Sequence, residues 1–314
     1  MKRLLAGAAL ATLMTSSAMA ANIGVSMALF GDNFLTVLRN GMSDYAKTLP
    51  DTNLQIENAQ NDVAKQLDQV KNFVASKVDA IIVNPVDTSA TQAITDAAEA
   101  AHIPLVYVNR EPINVDSLPA DQAFVASNEA DSGTLEAKEA CRLLKAAGKD
   151  KGANILVMQG ELSNQAAVQR TKDVHEVIAT PDCSFMKIVQ EQTANWQRDQ
   201  AQNLMTNWLS SSIKFDAVVS NNDEMAIGAI QAMKAAGVDP SNTIVTGVDA
   251  TQDALAEMKS GNLKATVFQD AAGQGHGAVD TALKLIKGEK VDQKVYVPFQ
   301  LVTPENMDKF MAKN

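Results

Sequence analysis

The chain has 314 residues, 46% of them hydrophobic, with 27 Lys and Arg against 37 Asp and Glu, a formal net charge of −10. So acidic a balance repels the phosphates of nucleic acid and of anionic lipid, which excludes both as partners. The length is more than one ordinary domain carries and points to two, and 2 cysteines are too few for a disulfide-dense scaffold.

Lys2 and Arg3 open the chain, residues 4–14 form a short apolar run, and Ala18-Met19-Ala20 is a small-residue cleavage pattern. Residues 1–20 therefore read as a secretory signal peptide, too short in its apolar core to span a membrane. Cleavage after Ala20 leaves 25 basic against 37 acidic residues, a net charge near −12. In an oxidising compartment the even pair Cys141 and Cys183 points to one disulfide, with two buried free thiols as the alternative.

Strand-like and helix-like runs then alternate. Residues 23–29 read as a strand, and Phe34, Leu35, Leu38, Met42 and Tyr45 recur at helical spacing. Leu54 and Ile56 mark a second strand, followed by a helix carrying Val63, Leu67, Val70 and Val74. The continuous apolar run 80–83 is a strand covered on both faces. A helix with Ile94 and Ala98 and a strand at 103–108 follow. Residues 109–122 are irregular and approach a lobe boundary. The alternation restarts with strands at 153–159, 186–189, 217–219, 243–248 and 265–268, and with helices between them. Repeated units of this kind imply parallel sheets wrapped by helices, and two such lobes suit the length.

In open α/β sheets, ligands sit beyond the carboxyl ends of the strands. The residues there are Asp32, Asn33 and Phe34; Asn84; Asn109 and Arg110; a polar segment from Gly160 to Arg170; Asn221, Asn222 and Asp223; Asp249; and Gln269. Planar polar side chains of this kind give and take hydrogen bonds, which suits a ligand covered in hydroxyls. Asn and Asp are also common as helix caps, and Asp223 reads as the cap of the helix over 225–233. No catalytic residue, metal site or cofactor loop emerges. His102, His175 and His276 have no partner at ligand spacing, and neither a nucleophile elbow nor a phosphate loop is present.

These stretches together resemble the periplasmic sugar-binding proteins of the ribose-binding type, which serve ATP-driven importers. The motifs are Asp32-Asn33-Phe34-Leu35, Asn84-Pro85, Asn109-Arg110, 166–171 around Arg170, Asn222-Asp223-Glu224-Met225, Gly247-Val248-Asp249 and Val267-Phe268-Gln269. The resemblance runs from Asn22 to the C-terminus. It implies a type I periplasmic binding protein, an α/β fold of two Rossmann-like lobes joined by a three-segment hinge near 126–129, 268–271 and 295–298. The lobes would comprise 21–127 plus 271–296 and 128–270 plus 297–314.

The ligand-binding residues implied are Asp32, Phe34, Asn109, Arg110, Arg170, Trp196, Asn222, Asp249 and Gln269. Phe34 and Trp196 would sandwich a ring, with core packing as the other use of Trp196. Arg110 and Arg170 would fork onto hydroxyls, and Asp249 would accept. The family often has Asn where Asp32 stands and Asp where Asn109 stands. With the run 108–112, this exchange is most similar to the inositol- and rhizopine-binding branch and ranks a cyclitol ahead of a pentose or hexose. The resemblance further implies a periplasmic monomer that binds a small polyol and serves a membrane permease, and that can also serve a chemoreceptor. A secreted polyol-modifying enzyme would need an activated nucleophile, metal or base pair. A transcription regulator of related fold would need an N-terminal DNA-binding segment where this chain carries its export address.

Overall fold

The computed structural model describes residues 20–314, so all but the last residue of the expected signal peptide lies outside the described residues. β1 (Ala21–Met27), α1 (Asn33–Thr48), β2 (Thr52–Asn58), α2 (Val63–Ala75), β3 (Ala80–Val83), α3 (Gln92–Ala100), β4 (Leu105–Val108) and β5 (Gln122–Ala126) come first. The chain then leaves for a second lobe. There it forms α4 (Glu129–Ala146), β6 (Ala153–Gln159), α5 (Gln165–Ile178), β7 (Met186–Thr193), α6 (Arg198–Ser210), β8 (Ala217–Ser220), α7 (Asp223–Ala235), β9 (Ile244–Thr246), α8 (Gln252–Lys259) and β10 (Thr266–Phe268). It returns to the first lobe with α9 (Ala271–Ile286) and β11 (Lys294–Tyr296), and crosses again to β12 (Gln300–Val302).

The first sheet is parallel throughout, in the order β11-β5-β4-β3-β1-β2. The second, β7-β6-β8-β9, is also parallel. Two parallel bridges, Thr246 with Ala265 and Asp249 with Phe268, set β10 beside β9, and β12 pairs antiparallel with β10.

Central strands are buried along their whole length, as expected when helices cover both faces. Alternate residues serve opposite cores. Ile82 and Val106 join Val25, Leu38 and Val279 on one face, while Ile81, Leu105 and Tyr107 join Phe73 and Ile94 on the other. The second lobe repeats the pattern, with Leu156, Val218 and Val245 on one face and Ile155, Val157 and Val219 on the other. The edge strand β2 alternates half-buried and exposed residues. Among the described residues no helix is long and apolar enough to cross a membrane.

Cys141 on α4 and Cys183, in the turn before β7, form the disulfide, with Cα atoms 5.8 Å apart and a sequence separation of 42. Both lie against the Val157–Val219 core. The pair thus pins α4 to the outer edge of the second sheet. In the chain-entropy picture, closing a loop of this length stabilises the fold by about 4 kcal/mol. Cys141→Ala combined with Cys183→Ala should lower unfolding stability by roughly 2–4 kcal/mol in urea titrations, and reduced wild type should behave like the double variant.

Candidate functional site

The carboxyl ends of the strands in the two sheets face one another, with a cavity between them. All nine residues that the resemblance implies as ligand-binding line it, Asp32, Phe34, Asn109, Arg110, Arg170, Trp196, Asn222, Asp249 and Gln269, whereas Asn33, Asn84, Asn221 and Asp223 of the strand ends do not. Leu35, Glu129, Asn164 and Ala166 line it too and were not among them. Leu35 and Ala166 carry no polar signal. Asn164 caps α5, accepting from the backbone N–H of Ala166 at 3.1 Å. Glu129 sits just past the first crossing, where acidic residues are ordinary as first-turn helix residues.

Local structure places each side chain. Asp32 caps α1 through Oδ1, which accepts from the Leu35 N–H at 2.8 Å, and this puts Phe34 in the first turn at the cavity wall. Arg110 follows β4, and its Nη1 donates to the carbonyls of Pro85 and Val86 at 3.1 and 3.3 Å. Among the described residues no hydrogen bond engages its Nε or Nη2. Asn109 accepts from Asn84 and donates to Gln274, both at 3.2 Å, so its amide is braced within its own lobe.

In the second lobe Arg170 is held by Glu129, with Nε and Nη2 at 2.8 and 3.0 Å from its carboxylate oxygens. Its Nη1 donates to the Asn221 carbonyl at 2.7 Å and its Nη2 also to Gln269 Oε1 at 3.3 Å. The fork that the family resemblance assigns to hydroxyls is thus occupied by a carboxylate of the same lobe. Asn222, not Asp223, caps α7: its Oδ1 accepts from Met225 N–H at 3.0 Å, and its Nδ2 donates to the Trp196 carbonyl. Asp223 is fully buried instead, accepting from Thr266 Oγ1 and Thr251 N–H at 2.7 and 2.8 Å, because it faces β10 rather than the helix end.

Trp196 is held by two successive residues in the left-handed region, Asn195 at φ 53° and Trp196 at φ 65°. Its indole Nε1 and the Gln269 Nε2 are buried without a hydrogen-bond partner among the described residues. Asp249 has φ 121°, is 3% exposed, and its carboxylate receives no hydrogen bond there either. Burial pushes the Asp249 carboxyl well above the usual range, with Arg170 opposing and Asp223 and Asp32 adding to the rise. Burial raises Asp32 as well, against the Leu35 N–H and Arg110. The cavity therefore offers donors from Arg110, Gln269 and Trp196 and acceptors from Asp32 and Asp249. An unmet buried polar group costs about 1–3 kcal/mol, so each favours a ligand bearing the complementary group.

Glycine 160 shapes this wall. A Cβ there would lie 2.2 Å from Trp196 Cζ2. Gly160→Ala should therefore displace the indole, seen as a change in intrinsic fluorescence while far-ultraviolet circular dichroism keeps its wild-type form.

Beneath the site, Glu136 is fully buried and accepts from Thr246 Oγ1 and Ser220 N–H at 2.7 and 3.1 Å. Burial pushes its carboxyl up to about 8, against these two donors. A folded-state value above the unfolded one means that the contribution to stability is full below the unfolded value and is lost as pH rises toward 8. Glu136→Gln should gain stability relative to wild type by roughly 1–3 kcal/mol between pH 5 and 8, measured by thermal melts across that range.

The chain matches the family described as periplasmic binding protein domain over residues 23–290. A protein of Rhizobium meliloti with the provisional name rhizopine-binding protein is 60% identical over 314 residues, covering 100% of both chains. A solute-binding protein of an ABC transporter from Bacillus halodurans, solved with bound myo-inositol, is 40% identical with a TM-score of 0.87, covering 96% of this chain and 100% of that one. The Caulobacter myo-inositol binding protein, solved bound to myo-inositol, is 27% identical with a TM-score of 0.83, covering 94% and 97%.

Proposed function

We propose that this chain, which belongs to the periplasmic binding protein family, closes its two lobes around one small polyol, myo-inositol or a related cyclitol such as a rhizopine, and delivers it to the permease of an ABC importer. The family is one of periplasmic substrate-binding proteins, not enzymes, and its members carry a small-molecule ligand to a membrane permease.

The observation that carries the ligand class is the unpartnered Asp249 carboxylate, set in the same cavity as the free Nε and Nη2 of Arg110. Each ring hydroxyl is at once donor and acceptor and can satisfy both. Phe34 and Trp196 would cover the C–H faces of the ring, and Trp196 Nε1 and Gln269 Nε2 would donate to its oxygens. Asn109 and Asn222, whose amides are engaged by the protein, would shape the walls, and Arg170 would present its one remaining N–H. Asp32 would accept through Oδ2, and an amino substituent on the cyclitol would pair with it. A neutral ring without that amine, or a pentose or hexose, would use the same set less fully.

The lobes would move as 21–127 with 271–296 and 128–270 with 297–314, about the three crossings, and the ligand would shift the population toward the closed form. The protein would act as a monomer after cleavage behind Ala20, and its closed form would also serve a chemoreceptor.

Calorimetry on the mature protein should show one site for a cyclitol at micromolar affinity or tighter. Asp249→Ala and Arg110→Ala should each weaken it about 10- to 100-fold with an unchanged unfolding midpoint. No heat with inositols, pentoses or hexoses, or intact affinity in both variants, would remove the site as drawn.

A further inference from the structure

One carboxylate of the second lobe is partnered wholly by the first. Glu161 follows β6 and does not line the cavity. Its Oε1 accepts from Asn61 Nδ2 at 2.8 Å. Its Oε2 is buried, has no hydrogen bond among the described residues, and lies 3.8 Å from Arg110 Nη1. Asn61 follows β2 and Arg110 follows β4, both in the first lobe. The side chains of Arg110 and Glu161 are only 7% and 15% exposed, so solvent screens the pair little.

Glu224 gives the contrast. It too accepts from a first-lobe amide, Asn33 Nδ2 at 2.7 Å, but Arg198 of its own lobe grips it at 2.8 and 2.9 Å. Glu224 is therefore set within its lobe, whereas the side chain of Glu161 has partners only where the lobes meet.

The charges around the cavity then sum differently in the two forms. Arg170 is matched by Glu129 within one lobe and stays matched at all times. Arg110 has only Asp32 as a nearby carboxylate of its own lobe, and Glu161 joins it from the other. With Glu161 in place no cation of the cavity is unmatched, so none is left to pair with an anionic ligand.

We propose that Glu161 is the closure-linked counter-ion of Arg110, clasping the two lobes and making the closed cavity reject anionic ligands such as uronic acids. This rests on the polyol reading for the neutral ligand. Glu161 touches no ligand atom in this scheme; it acts through Arg110 and through the Asn61 contact.

The test compares myo-inositol with D-glucuronate, a ring of similar size bearing a carboxylate, by calorimetry on the full mature chain. Glu161→Gln should bind myo-inositol roughly three- to tenfold more weakly, through faster release, and narrow its preference over glucuronate at least about tenfold. Asn61→Gly tolerates the φ of 58° at that position and removes the hydrogen-bonded half of the clasp without removing the charge. It should weaken myo-inositol binding and leave the preference unchanged. Should the Gln variant not fold, Glu161→Ala makes the same comparison.

An unchanged preference in Glu161→Gln, or an equal shift in Asn61→Gly, would overturn the assignment. Failure of the wild type to bind either compound would overturn the polyol reading instead. Glu161 would then be judged by X-ray scattering of the ligand-free chain. Glu161→Gln should populate wider forms, and superimposable curves would sink the clasp.

Discussion

Arg170 and Glu129 form a doubly hydrogen-bonded ion pair, each side chain 4% exposed. Taking two charges out of water costs several kcal/mol apiece, and only close geometry with further hydrogen bonds offsets it. Here the Asn221 carbonyl and Gln269 Oε1 supply those bonds. The consequence is positional. Glu129 begins α4 just past the first crossing, and Gln269 stands at the second. One guanidinium on α5 thus fastens two of the three connecting segments to the cavity wall. Its Cζ also lies 5.7 Å from the Trp196 ring and 5.9 Å from that of Phe299, near the third crossing. Removing either partner would strand the other charge and loosen all of these at once.

Much of this was legible in the sequence because the rule that locates ligands beyond strand ends is geometric. Asp32, Arg110, Asp249 and Gln269 each stand within a few residues of an apolar strand run, and parallel sheets bring such positions together whatever their distance along the chain. What escaped was of two kinds. α4 has no clean apolar stripe, because its buried face carries Glu129, Ser132, Glu136 and Glu139, so periodicity does not announce it. The division of labour between neighbours escaped as well. Asn222 and Asp223 are both common caps, and only the position of β10 decides that the first caps α7 and the second is buried against Thr266. In the same way a sequence shows Arg170 near a strand end but not that Glu129 occupies its fork.

The cavity leaves a few strong groups unmatched among many that are matched. Asn109, Asn222 and Arg170 spend most of their hydrogen-bonding capacity on the protein, which fixes their rotamers and holds the walls still. Asp249 is held with φ at 121° and a neighbour, Ala250, at 53°, backbone conformations that cost energy and persist only where surrounding structure enforces them. The parallel bridge to Phe268 supplies that enforcement. Pre-set walls reduce the ordering that binding must accomplish, and under the proposed function the unmatched carboxyl and N–H groups would discriminate between ligands.

The pairing of β11 with β5 joins Val295 to Val125, so the first sheet lacks its edge strand until almost the whole chain is available. Such distant pairing raises the mean sequence separation of contacts, and chains of that kind fold slowly. The first lobe cannot finish early while the polypeptide emerges from the ribosome. For a member of a periplasmic family, this wiring postpones completion of the first lobe until its last strand is available.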